Sequence, residues 1–196
     1  AQIPGFSELH PLLPQLQNGE KFTQGALELL YHMDQLLCEI TGMDAYTMQP
    51  LAGAHGELTG AMMMAAYHNA KGNHKKYILV PDSAHGTNPA TAATVGYETV
   101  SIPSDANGVM DMARLKEKLT DEVAGVMLTS PNTHGIFNSA IDEVAELVHS
   151  VDGLMYYDGA NLNAVLGRCR PGDVGFDIVH INLHKTFGTP HGGGGP

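Results

Sequence analysis

The chain has 196 residues, with 10 Lys+Arg against 21 Asp+Glu and a formal charge of -11, a balance that excludes nucleic acid as a partner held by simple electrostatics. No stretch approaches the roughly 20 apolar residues of a membrane span, and no basic region followed by an apolar run opens the chain. Cys38 and Cys169 lie far apart without CxxC spacing, which argues against a disulfide framework or a thiolate zinc site and for a reducing, intracellular setting.

Residues 1 to 22 carry Pro4, Pro11 and Pro14 with little periodicity and read as an irregular arm, leaving residues 23 to 196 as one domain. Ala26, Leu29, Leu30, Met33, Leu36, Leu37 and Ile40 recur at three- and four-residue spacing and predict an amphipathic helix ending at Gly42. A second helix is predicted from near Gly56 to Gly72, its methionines serving mostly as core filler. Strand and helix patterns then alternate. Strands are predicted over 77–81, 99–103, 123–128 and 154–157, with helices over 88–95, 111–119 and 141–150.

The last strand is predicted over 177–184, with Val179, Ile181 and Leu183 on one side and His180, Asn182 and His184 on the other. Alternation with short connections predicts a three-layer α/β/α domain around a mainly parallel sheet. In such sheets ligands gather beyond the carboxyl ends of the strands.

The polar motifs fall there, in five loops. Gly53-Ala54-His55-Gly56-Glu57 opens a helix, so its amides and the helix dipole can hold a phosphate dianion, although most such turns are only turns. Asp82 to Asn88 holds His85, which can stack on a flat ring or be a satisfied structural group. Thr129 to Thr133 offers Asn132 or Thr133 as a donor to a phenolic oxygen, though Pro131-Asn132 is equally a turn former.

Asp158 follows an apolar strand, and its carboxylate can keep a pyridine nitrogen protonated or form an N-cap or Asx turn. Small Ala160 lets a ring lie close. Lys185 stands at the end of the last strand before a glycine-rich run, Gly192 to Gly195. A partly desolvated amine forms a Schiff base with an aldehyde, so the five loops together suggest pyridoxal 5'-phosphate; the alternative is an ordinary surface lysine.

Asn182-Leu183-His184-Lys185-Thr186-Phe187 with Thr189-Pro190-His191-Gly192-Gly193-Gly194-Gly195-Pro196 closely resembles the lysine region of the P-protein family of the glycine cleavage system, glycine dehydrogenase (decarboxylating). The resemblance extends to Ile40-Thr41-Gly42-Met43, Gln49-Pro50, residues 53–57, residues 82–89 and residues 157–163, and so spans nearly the whole chain. It fits the C-terminal half of that family, or subunit 2 of two-chain bacterial versions.

The resemblance implies the large domain of the aspartate aminotransferase-like fold of PLP-dependent transferases. It further implies that Lys185 carries the cofactor, that Asp158 faces the ring nitrogen and that His85 stacks on the ring. Ala54, His55, Gly56 and Asn182 hold the phosphate, Ala160 packs beneath the ring, His184 lines the lysine side, and Asn132 or Thr133 meets the phenolic oxygen.

The implied reaction is glycine decarboxylation, with the aminomethyl group passed to the lipoylated H-protein by a homodimer or a subunit-1/subunit-2 assembly. The implied compartment is the bacterial cytoplasm, or the mitochondrial matrix in a eukaryote. Family segments before Ala1 and a small C-terminal domain are expected beyond this stretch, so residues 1 to 196 alone are expected to bind the cofactor weakly and not to turn over.

Three other readings stand beside this one. They are another PLP-dependent decarboxylase or lyase, a silent scaffold subunit, and a metal-dependent hydrolase built on His180, His184 and His191.

Overall fold

The computed structural model describes residues 24–188; the arm expected over residues 1–22 and the glycine run after Thr189 lie outside them. Five strands form one sheet: β1 (Tyr77–Pro81), β2 (Glu98–Ile102), β3 (Val123–Thr129), β4 (Leu154–Gly159) and β5 (Ile178–Ile181). Their order is β2-β1-β3-β4-β5, and every neighbouring pair is parallel. The helices are α1 (Gln24–Thr41), α2 (Gly53–Lys71), α3 (Thr87–Thr94), α4 (Met112–Lys118), α5 (Ile141–Ser150) and the single turn α6 (Leu183–Thr186).

Two apolar layers sandwich the sheet. On one side Met64 of α2 and Ala92 of α3 pack on Ile78, Val80, Met127 and Tyr156. On the other, Leu115 of α4 and Val144 and Val148 of α5 pack on Leu79, Val126, Met155 and Tyr157. Uncharged β3, apolar up to Thr129, is buried along its whole length because helices cover both of its faces.

Within β3 the alternation breaks: Val123 and Val126 share one layer, while Ala124 and Met127 share the other. The pairing with β1 explains this, since Tyr77 opposes Val123 but Ile78 opposes Gly125. One extra residue in β3 makes a bulge that restores the facing of the strand's later residues.

Two expectations need correction. Only Leu37 and Thr41 of α1 are buried; Leu30, Met33 and Ile40 are half-buried, while Leu29 is 61% and Leu36 58% exposed, so the predicted apolar stripe is only partly covered by the described residues. In α2, Met64 is core, but Met62 and Met63 point outward.

Sheet order reverses direction between β1 and β3, and the loops leaving these two strands therefore diverge. This is the crevice where ligands bind in open α/β sheets.

Candidate active site

Four of the five polar loops are hydrogen-bonded to one another along the carboxyl edge of the sheet. Thr133 Oγ1 donates to Ser83 O at 2.7 Å, joining the loops after β3 and β1. Asn161 Nδ2 donates to Pro131 O at 2.9 Å, joining those after β4 and β3. From α3, Asn88 Nδ2 donates to Asp158 Oδ2 at 3.3 Å. Glu57 near the start of α2 accepts from Thr87 Oγ1 at 2.9 Å and from Thr91 Oγ1 at 3.4 Å.

Asp158 is buried at 3% exposure, carried there by β4, whose register sets Asp158 opposite His180 of β5. Its Oδ1 accepts from Ala160 N at 3.0 Å, which is the Asx turn that the sequence also allows. That turn uses only part of the carboxylate. His180 Nε2 lies 3.3 Å from Oδ1, and His180 Nδ1 is 2.5 Å from the Tyr156 hydroxyl.

Burial pushes the His180 imidazolium below its ordinary range, against the opposing pull of Asp158, and burial drives the Tyr156 phenol far up. The sequence offers His180 only as a possible metal ligand and gives Tyr156 no role. The polar facing of His180 is the available signal, but its partner is 24 residues away in sequence.

Helix α2 begins at Gly53, three residues before the predicted start, so Gly53-Ala54-His55-Gly56-Glu57 forms its first turns rather than a loop before it. Ala52, at the N-cap, offers no side-chain cap, and the first turn holds no acidic residue. A 19-residue helix thus presents the uncapped Gly53 and Ala54 amides at the site edge, while His55 N and Gly56 N donate to Ala52 O; Ala54 and His55 are exposed. A Cβ on Gly53 would overlap Asn182 Nδ2, so α2 starts against the residue that follows β5.

His85 is exposed after β1, and its Nδ1 sits 2.8 Å from Thr87 Oγ1, the hydroxyl that donates to Glu57. Glu57 is 4% exposed, and burial raises its carboxyl pKa above the ordinary range. The sequence places Glu57 in the phosphate loop without a task; the structure joins it to His85 through Thr87.

The strand predicted to run to His184 stops at Ile181. Lys185 N and Thr186 N both donate to Asn182 O, at 2.9 and 3.1 Å, closing a helical turn that carries His184 and Lys185. Over so short a run, period two and a helical turn both fit the pattern. Asn182 is buried, His184 half-buried and Lys185 exposed. His191 lies outside the described residues.

Asn132 is occupied within its own loop: Oδ1 accepts from His134 N and Ile136 N, and Nδ2 donates to Gly108 O at 2.8 Å. Thr133 spends its hydroxyl proton on Ser83 O. Neither is aimed at the crevice by these contacts.

Buried polar atoms without partners are Asn88 Oδ1, Thr129 Oγ1, Ser130 Oγ and Thr186 Oγ1 among the described residues. All four lie in the site's loops or beside them. Orphaned groups concentrated at one edge fit a polar ligand there better than a finished core.

The family model for the glycine cleavage system P-protein matches residues 19–196. This chain belongs to that family. Over its full length it is 58% identical to a probable glycine dehydrogenase (decarboxylating) subunit 2 of Caldanaerobacter subterraneus subsp. tengcongensis and 59% identical to that of Bacillus licheniformis. It spans 40% of the length of each.

Among solved structures, a glycine decarboxylase (P-protein) in inhibitor-bound form aligns with 87% of this chain and 40% of its own, at TM-score 0.67 and 19% identity. An Oryza sativa TDC with PLP and tryptamine aligns with 80% of this chain and 40% of its own, at TM-score 0.61 and 19% identity. At that identity the likeness shows the fold alone. For this P-protein family chain, it is the parallel-sheet α/β fold of PLP-dependent enzymes that the likeness establishes.

Proposed function

We propose that this stretch supplies the pyridoxal phosphate site of a glycine decarboxylase, which passes the aminomethyl group to the lipoyl arm of H-protein. The observation that carries the reading is the placement of buried Asp158 near the end of β4 and of exposed Lys185 on the helical turn that follows the adjacent parallel strand β5, in a chain of the P-protein family.

The residues fit such a cofactor. The positive end of α2, with the Gly53 and Ala54 amides free of a backbone acceptor and His55 and Gly56 beside them, suits a phosphate dianion. Asn182 completes that corner, being in contact with Gly53. Lys185 Nζ is the amine that would hold the aldehyde carbon, on a turn fixed by Asn182 O. When bound, the protonated pyridine ring draws off the electron pair left by a departing carboxylate.

The chain's own groups serve that chemistry in distinct ways. Asp158, held by Asn88 Nδ2 and Ala160 N, would keep a proton at the ring nitrogen. His85, steadied by Thr87 and Glu57, would cover one ring face and exclude water from it. Small Ala160 leaves the other face open to close approach, and half-buried His184 lines the lysine side. The amine of Lys185, once released, can take up or return a proton at the reacting carbon. Thr133 and Asn132 are tied into their loops and serve the ring's oxygen side mainly by fixing its wall.

Assembly is part of the proposal. A groove of about 740 Å³ runs between α1, the 43–52 segment and β5, lined by Leu30, Met33, Leu37, Tyr46 and Met63. Such an apolar surface suits cover by the remainder of the polypeptide or by a partner, and the relatives are named as a subunit 2. The reading includes a homodimer or a subunit-1/subunit-2 complex, acting in the bacterial cytoplasm or a mitochondrial matrix.

The test is release of labelled CO2 from carboxyl-labelled glycine by the complete assembly. Release that requires both pyridoxal phosphate and lipoylated H-protein supports the reading. Release from another amino acid instead, with none from glycine, would reassign the site to a different decarboxylase.

A further inference from the structure

Tyr156, at 0% exposure, is a polar side chain within an apolar layer, and His180, at 7% exposure, is buried beside it. Phe and Leu would fill such space without the cost of burying polar atoms, so the pair needs a reason. Its contacts supply one, because they lead from the core to Asp158.

The protons can be assigned. Burial keeps the Tyr156 hydroxyl protonated, and it stands 2.5 Å from His180 Nδ1. The same burial lowers the His180 pKa against the pull of Asp158 and Asn182, which favours the neutral ring with a single proton. A ring nitrogen that accepts from tyrosine cannot hold that proton, which must sit on Nε2. Nε2 lies 3.3 Å from Asp158 Oδ1. The opposite tautomer would set a lone pair against the carboxylate and leave the buried Tyr156 hydroxyl proton without an acceptor among the described residues.

Helix α2 fixes the pair from above. A Cβ on Gly60 would overlap Tyr156 Cε2, and one on Gly56 would lie 3.3 Å from His180 Cβ. Gly53, Gly56 and Gly60 share one helix face by their spacing. That glycine face lets the helix that offers its N-terminus to the site also press Tyr156 and His180 into place.

We propose that Tyr156 and His180 are a positioning pair for Asp158: the Tyr156 hydroxyl fixes His180 as its Nε2-protonated tautomer, and His180 orients the Asp158 carboxylate toward the ring nitrogen of the cofactor. The inference rests on the pyridoxal reading of the site. It adds two residues that touch neither substrate nor cofactor and act through a third.

Two measurements on the complete subunit test it. In the cofactor-free protein, 15N-histidine NMR should show His180 neutral with its proton on Nε2, and Tyr156→Phe should shift the Nδ1 resonance. A proton on Nδ1, or a doubly protonated ring at neutral pH, overturns the proposal without reference to cofactor. In the loaded protein, His180→Leu should weaken pyridoxal phosphate binding roughly tenfold to a hundredfold, the scale of one hydrogen bond to a charged group.

His180→Gln, whose amide can still donate toward Asp158, should recover most of that loss. A purely structural histidine would show no such rescue. If wild type binds the cofactor through Lys185 and both variants match it, the positioning role is wrong and the cofactor reading stands. If wild type never takes up the cofactor, both fall together. Should His180→Leu fail to fold, the tautomer and its response to Tyr156→Phe still decide.

Discussion

Gly60 of α2 lies so close to Tyr156 of β4 that a methyl group added at Gly60 would overlap Tyr156 Cε2 and stand 3.0 Å from Ile178 Cγ2. A tyrosine ring in a packed layer cannot yield that much without moving its neighbours. Gly60→Ala should therefore destabilise the complete subunit by about 1–3 kcal/mol, the usual cost of overpacking, despite alanine's better helix propensity. Gly25→Ala in α1, where an added methyl would meet nothing within 4 Å among the described residues, should leave stability unchanged or slightly raised. Urea midpoints measure both, and equal behaviour of the two variants would contradict the close packing of α2 on β4.

Glu57 separates charge from hydrogen bonding. Burial raises its carboxyl pKa above the ordinary 4.5, so the folded state holds its proton to higher pH than the unfolded chain does. Stability from this group is present below the unfolded pKa and declines as pH rises through the folded one. Glu57→Gln removes the ionisation while keeping the shape, and it should equal or exceed wild type in stability at pH 8. Glu57→Ala leaves Thr91 without its acceptor and Thr87 without one of its partners, and should cost about 1–3 kcal/mol. Melting curves of the two variants at pH 8 should fall on opposite sides of wild type or nearly so.

Two buried histidines predict the acid side of the stability profile. Burial lowers the pKa of His68 and of His180 from the ordinary 6.5. Just below that value the unfolded chain binds more protons than the folded one, so stability rises with pH across the window and is lost as pH falls. His68 Nε2 lies 2.8 Å from Ala124 O, a contact a glutamine amide can imitate. The melting temperature should drop between about pH 7 and about pH 5, and His68→Gln should drop less steeply. An unchanged slope in that variant would remove His68 from the account.

Much of this fold is legible in the sequence because its strands are short, apolar and bounded by turn residues. The strand expected over 77–81 is β1 residue for residue, and the Val123 run is a central strand because its length without a charge leaves it nowhere but inside. Asp158 can be found as a residue at a strand end, whereas Lys185, expected at one, stands on the helical turn beyond β5. What the sequence does not carry is register. The meeting of Tyr156 with His180 depends on β4 pairing with β5 so that Asp158 faces His180, and no local pattern encodes that alignment. The end of β5 is hidden for a different reason, since Leu183-His184-Lys185 satisfies both a strand and one helical turn. Helix α1 shows the converse limit: its periodicity specifies a helix, but not the surface that covers Leu29 and Leu36.

The central claim is that Lys185 is the amine of a pyridoxal site, and an absorption spectrum tests it most directly. With pyridoxal phosphate added to the complete subunit, wild type should develop the visible band of lysine-bound cofactor. Borohydride should then fix the label on the peptide containing Lys185. Lys185→Ala should develop no such band while melting as wild type does. The same band in wild type and variant, or a label on another lysine, would contradict the assignment.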